Sequence, residues 1–140
     1  MISYQPACDL SKSAEITYNN MRPYYEHYLV DWEQPKILEQ ILSLDNWDIL
    51  SEGEVVGAIR LSFDSDECYL RDLQVNEEFQ NKGIGAAALV ESTRLAQASG
   101  VKKLKLRVFK ISPAHHLYKR NGFTLISEDE RFYYMEQDIS

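Results

Sequence analysis

Between Trp47 and Gly100 the apolar residues change period, and the change falls on one glycine-bearing passage. Asp48–Ser51, Val55–Phe63 and Tyr69–Val75 alternate with period two and are separated by the turn signals Glu52-Gly53-Glu54 and Asp64-Ser65-Asp66. Such runs predict an antiparallel three-stranded meander. Gly83–Gly100 then follows a helical period: Ile84, Ala88, Leu89, Leu95 and Ala96 share one arc, Arg94 and Gln97 lie opposite, and Gly100 is the stop signal. A strand that hands over to a helix in this way leaves the helix's first N–H groups without internal partners, at the positive end of its dipole. With Gly83 and Gly85 removing side-chain bulk, a pyrophosphate can approach those amides closely. The same two glycines would equally serve tight packing of the helix on a sheet.

The flanking segments complete a mixed architecture. Ile2–Pro6 reads as a short strand, and Asp9 or Ser11 as the cap of a helix ending near Met21, with Pro23 as a break. Tyr24–Val30 and Pro35–Leu44 read as further helical segments, the second with Ile37, Ile41, Leu42 and Leu44 on its apolar face. Leu104–Phe109 alternates as a strand. Ser112-Pro113 starts a short helix that Asn121-Gly122 closes, and Phe123–Ser127 with Phe132–Asp138 form a closing hairpin. The order β-α-α-β-β-β-α-β-α-β-β implies an α/β (α+β) sheet flanked by helices. At 140 residues the chain is expected to form a single domain, 1–140.

Composition narrows the functional classes. A net charge of −7 argues against nucleic-acid binding, which rests on basic surface. No apolar run reaches the roughly 20 residues of a membrane span, and the N-terminus lacks a secretory pattern, so a cytoplasmic location is expected, with no membrane partner. Cys8 and Cys68 stand apart without metal-ligand spacing and read as reduced thiols; His27, His115 and His116 likewise suggest no metal. Residues 1–75 hold 14 acidic and 5 basic residues, against 8 and 10 in the remainder. That asymmetry would suit an anionic cofactor on one side and a cationic substrate on the other.

Gly83-Ile84-Gly85-Ala86-Ala87-Ala88 also fits the dinucleotide pattern G-x-G-x-x-[GA], but its context does not. Seven residues separate Val75 from Gly83, and about twenty positions on stand Val101-Lys102-Lys103-Leu104 rather than an acidic residue. A phosphate-binding P-loop is excluded because no G-K-[ST] follows.

Gln80-Asn81-Lys82-Gly83-Ile84-Gly85 resembles the Q/R-x-x-G-x-G/A signature of the GNAT superfamily of N-acetyltransferases, preceded by that family's L-x-V strand as Leu73-Gln74-Val75. Val108 to Phe123, with Ser112-Pro113-Ala114, Leu117-Tyr118 and Gly122-Phe123, resembles its V-x-x-x-N-P-A-x-x-L-Y-x-[KR]-x-G-F block. The two blocks stand in the family's order and separation. The resemblance implies a GNAT fold: a central mixed, mostly antiparallel sheet of about seven strands with about four helices. It also implies an acyltransferase that uses acetyl-CoA as co-substrate.

The resemblance further implies that the backbone of Lys82, Gly83, Ile84, Gly85 and Ala86 binds the CoA pyrophosphate, with Gln80 shaping the loop. Leu73 and Val75 would offer backbone to pantetheine and the acyl carbonyl from a bulged strand, whose unpaired groups a ligand can satisfy. Tyr118 falls on the family's usual proton donor to the departing thiolate; a phenol is protonated at neutral pH and suits that task. Ser112 stands where the family commonly has Asn and would contact the pantetheine arm. Lys110, Lys119 and Arg120 could reach the 3′-phosphate or serve as solvated surface charge. A common family position for the general base is occupied by Tyr69, which leaves Glu67 and Asp72 nearby, and Asp31 and Glu33 on the substrate-facing helices, as alternatives. Tyr24, Tyr25, Tyr28 and Trp32 suggest an aromatic wall suited to a cation, or core packing. The expected acceptor is a primary amine of a small molecule or peptide, with a homodimer expected by analogy. The competing expectation is a catalytically silent acyl-CoA-binding or interaction module.

Overall fold

A computed structural model describes residues 1–140. Its elements are β1 (Ile2–Pro6), α1 (Leu10–His27), α2 (Gln34–Ile41), β2 (Asp45–Ser51), β3 (Glu54–Phe63), β4 (Glu67–Val75), a 3₁₀ turn (Glu77–Phe79), α3 (Ile84–Ala98), β5 (Lys103–Phe109), α4 (Ala114–Arg120), β6 (Thr124–Glu128) and β7 (Phe132–Asp138). The strands form one sheet in the order β1-β2-β3-β4-β5-β7-β6. Every neighbouring pair is antiparallel except β4 and β5, which run parallel because α3 carries the chain between them. The expected meander is β2-β3-β4, and the closing hairpin is β6-β7.

Alternation in the strands divides the apolar residues between two faces. Ile59 and Leu61 of β3 and Leu104, Leu106 and Val108 of β5 pack with Ile84, Ala88 and Leu89 of α3 and Tyr118 of α4. On the other face Ala14 and Tyr25 of α1, Ile37 and Ile41 of α2, and Phe109 form a second cluster. The sheet is thus a middle layer between α1/α2 and α3/α4.

One helix differs from expectation. α1 runs through Pro23 without a break, so the predicted stop near Met21 is corrected. Pro23 lies on the exposed side, and the turn after it is held by stacking: the rings of Tyr24 and Tyr28 lie 5.8 and 5.0 Å from that of Phe109. Tertiary contacts there outweigh the backbone hydrogen bond a proline forfeits. Asp9 is the N-cap, accepting the Lys12 N–H at 3.1 Å.

Candidate active site

The site begins where two strands stop pairing. β4 and β5 are in register from Glu67↔Lys103 to Leu70↔Leu106 and then part. On the other side of β4 the register to β3 also shifts, since Asp72 faces Arg60 but Leu70 faces Leu61, leaving Arg71 as an unpaired bulge residue. A bulge bends and twists its strand, which turns the second half of β4 away from β5. Beyond it the Asn76 N–H donates to the Val56 carbonyl, so by alternation the N–H and C=O of Leu73 and Val75 point away from β3, into the gap. The Val75 carbonyl there accepts the side-chain amides of Asn20 at 2.8 Å and Gln80 at 2.9 Å. Gln80 therefore ties the loop after β4 back onto that strand.

That loop delivers the glycine passage. Asn81 and Gly83 both take left-handed backbone, at φ +61° and +81°. Gly83 is the N-cap of α3. The N–H groups from Lys82 to Ala86 have no acceptor in the protein, and successive free amides around such turns make an anion cradle. At Gly83 a Cβ would meet open space, so the glycine serves its backbone angle; at Gly85 a Cβ would stand 3.5 Å from Leu117, an ordinary contact. Lys82 points its ammonium over the Phe79 ring at 5.5 Å, and Ile84 is buried in the core, so each bears on the cradle through its backbone.

The parted strands and this loop open a cleft of about 1900 Å³ that Leu73, Val75, Gln80, Gly83, Gly85, Ala86 and Ser112 all help to line. Single-ligand pockets typically span about 300–1,000 Å³, so there is room for two reactants. Ser112 lies at the start of α4, its hydroxyl accepting the Ala114 N–H at 3.2 Å. Trp47 Nε1 is the only sealed side-chain polar atom without a partner. The hydroxyls of Tyr118 and Tyr25, which also have no protein partner, therefore open to the cleft.

Tyr118 and Asp72 reach the gap from opposite faces of the sheet. Tyr118 belongs to the α3/α4 core. Burial pushes its hydroxyl pKa up, and the Asp72 charge adds to this. Tyr25 is shifted the same way by burial and Asp72, with Arg60 opposing. Asp72 lies on the α1 face, its side chain 22% exposed, and accepts an ion pair from Arg60 at 3.1 Å. Burial pushes its carboxyl pKa up; the Arg60 charge and hydrogen bond, a Gln74 hydrogen bond and the Arg107 charge pull it partly back.

Arg60 itself is fully buried. It donates to Thr17 Oγ1 (2.6 Å), the Ser13 carbonyl (2.8 Å), Ser13 Oγ (2.7 Å) and Asn46 Oδ1 (3.0 Å). An arginine in the apolar run Val55–Phe63 was the signal that could have found it, because a sealed guanidinium needs partners from other elements. Asn20 offered no such signal.

The other expected carboxylates sit elsewhere. Glu67 lies in the paired half of β4, bound to Lys105 at 3.0 Å and to the Tyr69 hydroxyl at 2.9 Å, and these bonds hold its pKa down. Neither Glu67, Asp31 nor Glu33 lines the cleft, and Asp72 is its only carboxylate. Apart from Asp72 the acids of residues 1–75 are not part of the cleft's lining, which includes Arg71, Lys105, Arg107, Lys119, Arg120 and Arg131. Tyr24, Tyr25 and Trp32 also line it. No group of three His, Cys, Asp or Glu is arranged to hold a metal.

The sequence profile of the acetyltransferase (GNAT) family matches residues 12–123. The chain belongs to that family. Solved structures share its fold across nearly the whole chain. The Thermoplasma acidophilum PaiA N-acetyltransferase, in complex with coenzyme A, matches at 21% identity and a TM-score of 0.77, covering 99% of each chain. A GNAT family acetyltransferase from Elizabethkingia anophelis with acetyl-CoA bound matches at 17% identity and TM-score 0.73, covering 98% of this chain and 97% of that one. The Escherichia coli ribosomal-protein-S18-alanine N-acetyltransferase matches at 19% and 0.76, covering 100% and 95%. No curated protein sequence matches the chain. Its seven-stranded mixed sheet with four helices is the GNAT fold.

Proposed function

We propose that residues 1–140 act as one catalytic unit that transfers an acetyl group from acetyl-CoA to a primary amine. The observation that carries this reading is the parting of β4 from β5 after Leu70↔Leu106, with a partnerless phenol on one side of the gap and a lone carboxylate on the other. The free amides of Lys82–Ala86 suit the pyrophosphate of the donor. The open backbone of Leu73 suits its thioester arm, and its N–H is placed to polarise a carbonyl that gains negative charge. Two neighbours with CoA or acetyl-CoA bound are consistent with this donor.

Asp72 takes the proton of the incoming ammonium, directly or through one water. Burial makes this carboxylate more basic than a surface Asp, and the Arg60 charge and hydrogen bond oppose that shift. As the acceptor nitrogen bonds to the carbonyl carbon and the carbon–sulfur bond breaks, Tyr118 gives its proton to the departing sulfur, and the surplus proton left on the nitrogen returns through water to the Tyr118 phenolate. Burial and the Asp72 charge keep that phenol protonated until the thiolate forms. Glu67 is tied to Lys105 outside the cleft and takes no part. Because no helix is long and apolar enough to cross a membrane, and both cysteines are free thiols, a cytoplasmic setting belongs to the same proposal.

Acetyl-CoA should raise the melting temperature in proportion to its occupancy. Tyr118→Phe should lower kcat by about 10²-fold while CoA affinity stays within about twofold. No stabilisation by CoA at millimolar concentration would refute the proposal.

A further inference from the structure

The acceptor side of the cleft carries a cation that nothing in the protein neutralises. In β5, Leu106 and Val108 pack under α3, while Phe109 joins the α1/α2 cluster. Arg107 therefore projects on the α1 face, the face of Asp72, one residue beyond the last β4–β5 pair. It takes part in none of the ion pairs of the molecule. Its guanidinium lies 4.4 Å over the Phe132 ring, and Tyr134 stands opposite Arg107 in the β5–β7 pairing. The Tyr134 hydroxyl donates to Asp129 at 2.6 Å, and Asp129 forms no ion pair with Arg107.

The neighbouring cations differ in how far they are engaged. Lys105 is paired with Glu67 at 3.0 Å. Arg71 bonds Ser62 Oγ through Nε at 2.8 Å, and Arg131 lies over the Tyr28 ring at 5.6 Å. Asp72, the one carboxylate on this lining, is already committed to Arg60 at 3.1 Å. The charge of Arg107 nevertheless acts on Asp72 without an ion pair forming between them. Two groups of opposite charge, Asp72 and Arg107, thus line the same cleft on the same face of the sheet without pairing to each other.

We infer that the acceptor is an amine bearing a carboxylate a few bonds from its nitrogen, of the amino-acid type, with the ammonium at Asp72 and the carboxylate on the Arg107 guanidinium. A planar guanidinium held over an aromatic ring presents paired N–H donors in the geometry a carboxylate accepts. Arg107 is exposed to solvent, so an acceptor with an acid group would replace its water with a charge-assisted pair, and an amine without one would gain nothing there. This inference rests on the proposed acetyl transfer and specifies its acceptor. It departs from the cationic acceptor expected from the acidic first half, because Asp72 is the one acid of that half that lines the cleft.

The test measures thiol release from acetyl-CoA with the proteinogenic amino acids, each beside its carboxamide and its decarboxylated amine, using the full chain. A CoA thermal shift is recorded first. The expected result is that the best amino acid exceeds its amide and amine by about tenfold or more in kcat/KM, as loss of a charge-assisted pair implies. Arg107→Gln should then bring the acid-to-amide ratio close to one through KM, and Arg107→Lys should restore part of it, with unchanged melting temperatures showing that both variants fold. Amides or simple amines used as well as the acids, or no amino acid used by protein that does bind CoA, would overturn the inference. Failure of CoA to bind would instead remove the acetyl-transfer reading on which it stands.

Discussion

The two halves of β4 differ in everything but continuity. From Cys68 to Leu70 the strand is paired on both edges, and the carboxylate of this half, Glu67, is neutralised by Lys105. From Asp72 to Val75 it is paired on one edge only, and its carboxylate, Asp72, is held by an arginine sealed in the core. The first half is ordinary sheet, with its donors and acceptors satisfied. The second half gives up strand pairing and exposes backbone and a basic carboxylate to a cleft. In the proposed reaction, reactivity follows from what the protein leaves unpaired, and a single bulge residue separates the two conditions.

Exchanging the carboxylates breaks this comparison most directly. Asp72→Asn should lower turnover by about 10²-fold or more, whereas Glu67→Gln should leave it near the starting value, as steady-state thiol release would measure. Equal losses in the two variants would show that the halves do not differ in function. The pH profile sharpens the same point. A base must be ionised, and burial raises the Asp72 pKa, so kcat/KM should fall as pH drops through a value above that of an ordinary aspartate, about 3.9.

Arg60→Met is the next largest effect expected, about 3 kcal/mol of stability lost in urea unfolding, because four other hydrogen-bond partners and Asp72 lose their cation together. Arg60 lowers the Asp72 pKa, so its removal should also move the acid limb of the pH profile to higher pH. Lys105→Met should do neither. The smallest effect belongs to the loop that the second half leads into. Gly83→Ala forces a side chain into left-handed backbone at φ +81° and should cost about 1 kcal/mol, read from the same unfolding curves, with a matching loss of CoA affinity.

Much of the fold was legible because it is written locally. Turn residues and period-two runs announced the meander, and the Gly83–Gly100 pattern announced α3, found at Ile84–Ala98. The Pro23 break was misread because the stacking of Tyr24 and Tyr28 on Phe109 links residues about eighty positions apart. The cradle and Tyr118 could be named from motifs that lie within one loop or one helix. Arg60 escaped notice because its partners come from α1, β2 and β4, and no spacing along β3 encodes them.

The sequence by itself determined the order of elements, the glycine loop with its unpaired amides, and membership in an acetyltransferase family, since each depends on neighbours in the chain or on matched motifs. The tertiary structure decided which carboxylate faces the gap and which charges line it. Glu67 and Asp72 are alike in chemistry and five residues apart. A bulge opposite Arg60 and the parting of two parallel strands put one beside Lys105 outside the cleft and the other in the cleft, where desolvation raises its pKa.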